Sequence, residues 1–272
     1  MNQKQKRFIQ TVRTFYQEQG RHTLPWRKTK NPYRILVSEI MLQQTQVDRV
    51  LPKYRAFLKQ FPTVQKLSEA SLGEVLTAWQ GLGYNRRAKM LHQCAQRVVL
   101  EYKGRFPRDF EALKTLPGVG AYTAGAVCAF AYNQAVPLIE TNVRTAYIHH
   151  FFHDQNDVLD TELVRYIELT MDREQPREWY WALMDYGSHL KKTIGNKNTQ
   201  SKHYAKQSKF QGSDRQIRGA ILRLLSTEGT RTRAALLKEL SSFEDIRIDA
   251  QLQKLLSEEM ICKQGRIYSL PA

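Results

Sequence analysis

Two glutamates and a tyrosine stand out because their neighbours do not explain them. Glu39, in "VSEIML", interrupts an otherwise apolar helical stretch. A charge there must face a cavity or a partner, or else pair with Arg34 or Arg49. An apolar surround raises a carboxyl pKa and keeps its proton on, the condition for donating that proton near neutral pH. Glu140, in "VPLIETNVRTAY", is a second carboxylate, with Asn142 close enough behind it to cap the next helix. Tyr122 follows "LPGVG" at 116–120. Gly118 and Gly120 let the backbone turn sharply and approach whatever lies opposite. A helix beginning near Ala121 then points its free N–H groups outward, where an anion is favoured by geometry and by the helix dipole. Glycine is common in helix–helix turns; the preceding "LP" and the charge of the chain select the phosphate-cradle reading, a contact that positions without reading sequence.

That charge is large. Of 272 residues, 42 are Lys or Arg and 26 Asp or Glu, a net +16. Such a surplus points to a polyanionic partner, nucleic acid ahead of membrane. No stretch approaches the ~20 apolar residues of a membrane span. The start, "MNQKQKRFIQTVRTFYQEQG", is amphipathic without a signal peptide's apolar run. Cys94, Cys128 and Cys262 are widely spaced, as expected of reduced thiols in a cytoplasmic protein with neither a disulfide framework nor a C-x-x-C metal site.

The elements that must position these groups read as helices. Apolar residues recur with a 3.6 period over 5–18, 33–44, 47–60, 71–80, 85–102, 108–115, 121–131, 141–152, 160–170 and 176–191, separated by "NP", "FP", "GLG" and "LPGVG". This predicts an all-α domain over 1–190, with 108–115, the turn and 121–131 forming a helix-hairpin-helix. Residues 191–213 read as a basic, loop-rich connection, either a solvated linker or a DNA-contacting loop. Residues 214–272 then predict three amphipathic helices and a hairpin about Gly265, a winged-helix-like pattern. Its third helix carries Lys254 against Asp249, Glu258 and Glu259, which argues against strong base reading there.

Three segments carry a family resemblance: "LPGVGAYTAGAV", "SEIMLQQTQVDRVLPKY" at 38–54 and "WQGLGYNRRAKML" at 79–91. Together, over about Leu24 to Leu190, the chain resembles the helix-hairpin-helix DNA glycosylases, most closely the MutY-type adenine branch. The resemblance implies a two-lobed all-α fold with double-stranded DNA across the cleft, a damaged or mismatched nucleotide flipped out and its N-glycosidic bond hydrolysed. It implies Glu39 as proton donor to the base and Glu140 as the carboxylate beneath the sugar. Gln44 and Tyr84 become the side chains that plug the emptied stack; the alternative is a capping Gln and a buried Tyr. Gln43, Arg86, Arg87, Gly118, Gly120, Lys191 and Lys192 complete the expected DNA contacts. A monomer working at the bacterial or archaeal nucleoid is implied, with thymine, uracil or hypoxanthine as alternative bases and a non-catalytic DNA-binding protein as the alternative class.

The residue type at position 122 and three departures from the family pattern bear on these expectations. Endonuclease III-like relatives have a lysine where Tyr122 stands; a phenol cannot form their Schiff base, so a monofunctional enzyme is expected. Adenine glycosylases carry Asp-Gly-Asn-Val where this chain has "ETNV". Most of the family holds an iron–sulfur cluster in a four-cysteine loop, but 187–213 has no cysteine and six lysines, so no cluster is expected. The NUDIX-like C-terminal domain that recognises 8-oxoguanine is replaced by the winged-helix-like segment. A monovalent cation held by hairpin carbonyls near Leu116 and Val119 is the one possible cofactor.

Overall fold

The computed structural model describes all 272 residues and is overwhelmingly helical. Its helices are α1 (Gln3–Gln19), α2 (Pro32–Leu42), α3 (Val47–Gln60), α4 (Val64–Glu69), α5 (Leu72–Ala78), α6 (Arg86–Tyr102), α7 (Phe110–Lys114), α8 (Ala121–Tyr132), α9 (Thr141–Phe151), α10 (Asp160–Thr170), α11 (Pro176–Thr193), α12 (Asp214–Thr227), α13 (Arg233–Glu239) and α14 (Asp245–Ser257). Short 3-10 turns cover Pro25–Arg27 and Lys197–Gln200. The only sheet is small and antiparallel, β1 (Arg231–Thr232), β2 (Cys262–Gln264) and β3 (Ile267–Ser269) in the order β1-β3-β2. The all-α expectation therefore holds, with the C-terminal hairpin turning at Gly265. Helix α4 escaped the periodicity: six residues give barely two buried positions, Val64 and Leu67, and its start is fixed instead by the Thr63 cap.

The chain forms two compact units, residues 1–39, 107–115 and 119–206, and residues 40–106, 116–118 and 207–272. This grouping differs from the boundaries at 190 and 213 that the sequence suggests.

In the first unit, α8 is apolar on every side and every residue from Thr123 to Ala131 is buried, as an all-round apolar helix requires. Phe8 of α1 meets Tyr147 of α9 at 5.0 Å and Trp179 of α11 at 6.0 Å between ring centroids. Helices α9 and α11 approach so closely that a Cβ on Gly187 would lie 2.0 Å from the Asn142 carbonyl oxygen. The basic segment after α11 is tied back to the same place. Buried Asn198 donates to Thr141 O and Thr145 Oγ1, both 2.8 Å, at the start of α9.

In the second unit, α12 packs on α5, while the residues just after α14 and the C-terminal tail reach α6 and α5. Ser226 Oγ donates to Thr77 Oγ1 at 2.9 Å, and Lys89 donates to Glu258 O at 2.6 Å and Glu259 Oε2 at 2.8 Å. The Gly73 N–H bonds Pro271 O at 3.0 Å, with no space for a Cβ between them. The third helix of the C-terminal segment spends its acidic end on Lys89 and Arg218. The winged-helix-like segment is thus continuous with the 40–106 layer.

Gly187→Ala should lower unfolding free energy by about 1–3 kcal/mol, because the added methyl drives α11 off α9. Thermal unfolding monitored by circular dichroism checks it; an unchanged melting temperature would show the helices can part at no cost.

Candidate active site

Helix α2 places Glu39 among Ile35, Leu36, Val37, Ile40 and Met41, all buried. Glu39 itself is 6% exposed. Its partner is Tyr122 in the first turn of α8, whose hydroxyl donates to Glu39 Oε2 at 2.7 Å; the alternatives Arg34 and Arg49 are exposed instead. Burial pushes the Glu39 pKa up to about 7, the Tyr122 hydrogen bond pulls it down, the charge of Glu140 pushes it further up and Arg27 opposes that. Burial and the two carboxylates lift Tyr122 well above its ordinary range, so the phenol stays protonated and remains a donor.

Glu140 is the N-cap of α9. Its Oε1 accepts from the backbone N–H groups of Asn142 (2.8 Å) and Val143 (2.9 Å), and Oε2 from Asn142 Nδ2 (3.2 Å). The cap expected at Asn142 therefore falls two residues earlier, because the longer glutamate arm can fold back onto the first turn. Burial raises the Glu140 pKa; the Asn142 and Val143 hydrogen bonds and Arg144 oppose the rise and favour the charged form. The two carboxyls are thus held differently, one buried in an apolar helix beside a phenol, the other ringed by amide donors.

Arg27, which the sequence did not single out, acts on the Glu39 charge and is itself fixed in the core. Its guanidinium and Asp185 of α11 form a two-pronged ion pair at 2.6 and 2.8 Å, with side chains 4% and 2% exposed. Arg21 adds its backbone N–H at 2.7 Å and its guanidinium at 2.6 Å. Burial would raise the Asp185 pKa, but the arginines outweigh it and hold the carboxyl below its ordinary value. The signal was available: "WALMDYG" sets a lone acid in an apolar helix, as "VSEIML" does.

The hairpin uses its glycines unequally. Gly118 has φ +73°, and a Cβ there would lie 2.6 Å from Met90 Cβ. Gly120 has φ −84° and ψ −179°, open to any residue, with nothing near an added Cβ. No side chain caps α8. What Gly120 provides is a bare surface before the amino terminus of that helix.

In the second unit, Gln44 and Tyr84 sit in left-handed turns, φ +55° and +47°. Gln44 is exposed, and so is Arg86. Arg87, expected among the DNA contacts, instead turns its guanidinium onto the protein's own backbone. Its Nη1 donates to Ile40 O, Met41 O and Gln43 O at 2.8, 2.9 and 2.6 Å, and its Nη2 to Thr45 Oγ1, Leu82 O and Gly83 O at 3.1, 3.2 and 3.0 Å. Burial lowers its pKa to about 10, which leaves it charged at neutral pH. One cation holds the turn carrying Gln44 against the turn carrying Tyr84. Lys191 and Lys192 are exposed in the last turn of α11, where the helix dipole also favours them.

A four-thiolate cluster does not fit this chain. Of its three cysteines, Cys94 and Cys128 are buried, burial pushing their thiols up to about 12 and 11, and Cys262 is exposed. No group of three or more His, Cys, Asp and Glu side chains could hold a metal ion.

A glycine hairpin feeding a buried helix, with a tyrosine in its first turn bound to a carboxyl raised toward neutrality, defines a helix-hairpin-helix protein. Residues 37–168, which span Glu39, the hairpin and Glu140, match the HhH-GPD superfamily of base excision DNA repair proteins, and the chain belongs to that family. An adenine DNA glycosylase of Mycolicibacterium smegmatis is 35% identical over 263 residues, covering 90% of this chain and 89% of the relative. One from Buchnera aphidicola is 36% identical over 182 residues, 66% of this chain, which spans about half (52%) of that relative's length. The structure is also similar to a thermostable thymine-DNA glycosylase, with a TM-score of 0.62 and 29% identity over 69% of this chain and 87% of that one.

Gly118→Ala should melt lower than the parent chain, whereas Gly120→Ala should melt unchanged. Calorimetry of the two variants checks the asymmetry; equal losses would mean that Gly120 is also needed by the backbone.

Proposed function

We propose that the chain is a monofunctional adenine DNA glycosylase acting on mismatched duplex DNA. The observation that carries this reading is the Tyr122–Glu39 pair: a carboxyl with a pKa raised to about 7, beside a phenol where bifunctional relatives need an amine. Protonated Glu39 gives its proton to the adenine ring as the C1′–N9 bond breaks, so the base leaves neutral. The bonding electrons go with the base and leave an oxocarbenium-like sugar. Glu140, whose amide donors favour its charged form against the effect of burial, would face that cation. Opposite charges ~4 Å apart are worth ~4 kcal/mol at an effective dielectric of ~20, about a thousandfold in rate. Water then adds to C1′, and its proton returns to the Glu39 carboxylate. The product is free adenine and an abasic site.

The duplex would be held by phosphate contacts at the amino terminus of α8, past the bare Gly120, and by Lys191, Lys192 and Arg86. Gln44 and Tyr84 would fill the place of the flipped nucleotide. The relatives named adenine DNA glycosylase favour adenine, and the thymine-DNA glycosylase likeness keeps thymine as the second reading.

Single-turnover excision, with alkaline cleavage of abasic sites, tests both on duplexes holding A opposite 8-oxoguanine, A opposite G, and T, U or hypoxanthine opposite G. Cutting at adenine is expected. Cutting at thymine alone would move the substrate. Glu39→Gln should slow excision about 10²–10⁴-fold while binding DNA as before; wild-type excision by that variant would remove Glu39 from the chemistry.

The pH dependence has a defined sign. Glu39 donates in its protonated form, so the rate should fall as pH rises through about 7. Tyr122 stabilises the ionised form by its hydrogen bond, so Tyr122→Phe should move that alkaline limb to higher pH. A limb that stays put or moves to lower pH would break the assignment.

A further inference from the structure

The hydroxyl of Tyr84 is gripped by two side chains from the C-terminal part of the chain. Gln207 Nε2 donates to it at 2.5 Å and Arg215 Nη1 also donates to it. The Arg215 guanidinium lies over the ring, its Cζ 4.8 Å from the centroid, and Arg87 approaches the same ring at 5.4 Å. The other Arg215 nitrogen, Nη2, is fixed by Ser208 O at 2.6 Å and Ser208 Oγ at 3.1 Å.

Two features argue that this is more than surface decoration. Arg215 is the second residue of α12, a 14-residue helix. The helix dipole disfavours a cation in that first turn, so its place is not set by the helix it belongs to. Tyr84, for its part, has φ +47°, a conformation a bulky side chain adopts only when its surroundings impose it. Arg87 fixes the backbone side of that turn, through Leu82 and Gly83, while Arg215 and Gln207 fix the far end of the side chain. With both acceptor positions of the phenol oxygen taken, the ring has one orientation.

We propose that Arg215 and Gln207 are positioning residues for Tyr84, through which the C-terminal segment sets the wedge that enters a vacated base stack. The inference rests on the reading of Tyr84 as that wedge. Arg215 acts through Tyr84 and does not touch the reacting atoms. Its planar fork is needed, since it must both stack on the ring and hold the hydroxyl.

The test is fluorescence-anisotropy binding to two duplexes, one with a central tetrahydrofuran abasic analogue opposite G and one fully paired. The full-length chain is used, and the readout is the ratio of the two affinities. Arg215→Ala should reduce the preference for the gapped duplex about tenfold while leaving affinity for the paired duplex within a factor of two or three, given a lost cation–π contact and a lost charged hydrogen bond. Arg215→Lys should fail to restore it. Gln207→Ala, at an exposed position, should give a smaller loss in the same direction without changing the melting temperature. Combining Arg215→Ala with Tyr84→Ala should be no worse than Tyr84→Ala alone. The proposal is overturned if Arg215→Ala keeps the wild-type ratio, if it weakens both duplexes equally, or if Arg215→Lys is fully functional. A separate outcome tests the underlying reading: Tyr84→Ala with a wild-type ratio would mean that Tyr84 is no wedge, whereas loss in Tyr84→Ala with retention in Arg215→Ala would remove only the brace.

Discussion

A carboxyl group that is almost wholly buried among aliphatic side chains must keep its proton or be given a donor, and Glu39 meets this constraint with both. The Tyr122 hydroxyl stabilises its ionised form, while burial and the neighbouring Glu140 favour its protonated form. Neither side wins outright, and the group is left balanced near neutrality. The rest of the first unit maintains that balance. The hairpin delivers Tyr122 by starting α8 at residue 121, and Arg27 tempers the Glu39 charge while itself locked to Asp185. Breaking such a buried ion pair would strand a charge in the core at a cost of about 3–5 kcal/mol. Asp185 lies on α11, and two residues later Gly187 lets the same helix press on the turn capped by Glu140. One helix therefore sets the surroundings of both carboxylates.

Much of this was legible in the sequence where a pattern spans several turns. The long helices announce themselves by period, and Glu39 by being polar where the period requires an apolar residue. Conformation fixed by a single residue was harder to read. Helix α2 stops at Leu42, two residues before the pattern would end it, because Gln44 turns left-handed and Arg87 holds the carbonyls of Ile40, Met41 and Gln43 on both sides of the break. Arg87 stood with Arg86 among the expected DNA contacts; which of two adjacent arginines faces inward depends on a loop forty residues away. Glu140 illustrates the converse: its position was evident, but its use as a cap depends on side-chain length against local backbone.

The C-terminal segment shows how far composition can mislead about boundaries. A lysine-rich stretch without acids reads as either a linker or a DNA-contacting loop; part of it is ordered by Asn198 against α9, and the helices beyond it group with residues 40–106. The acids that made the third C-terminal helix an unpromising base reader turn out to be anchors, Glu259 taken up by Lys89, Glu258 by Arg218 and Asp249 by Arg233.

The six close bonds from Arg87 also have a kinetic meaning. Two turns stapled to one guanidinium cannot loosen separately, so Gln44 and Tyr84 are presented as a finished shape. A protein inspecting base pairs in succession with such a tool orders none of its own chain at each stop. On the proposed reading, the dwell time per pair is then governed by how readily the duplex itself comes apart, and a weakened pair identifies itself by yielding first.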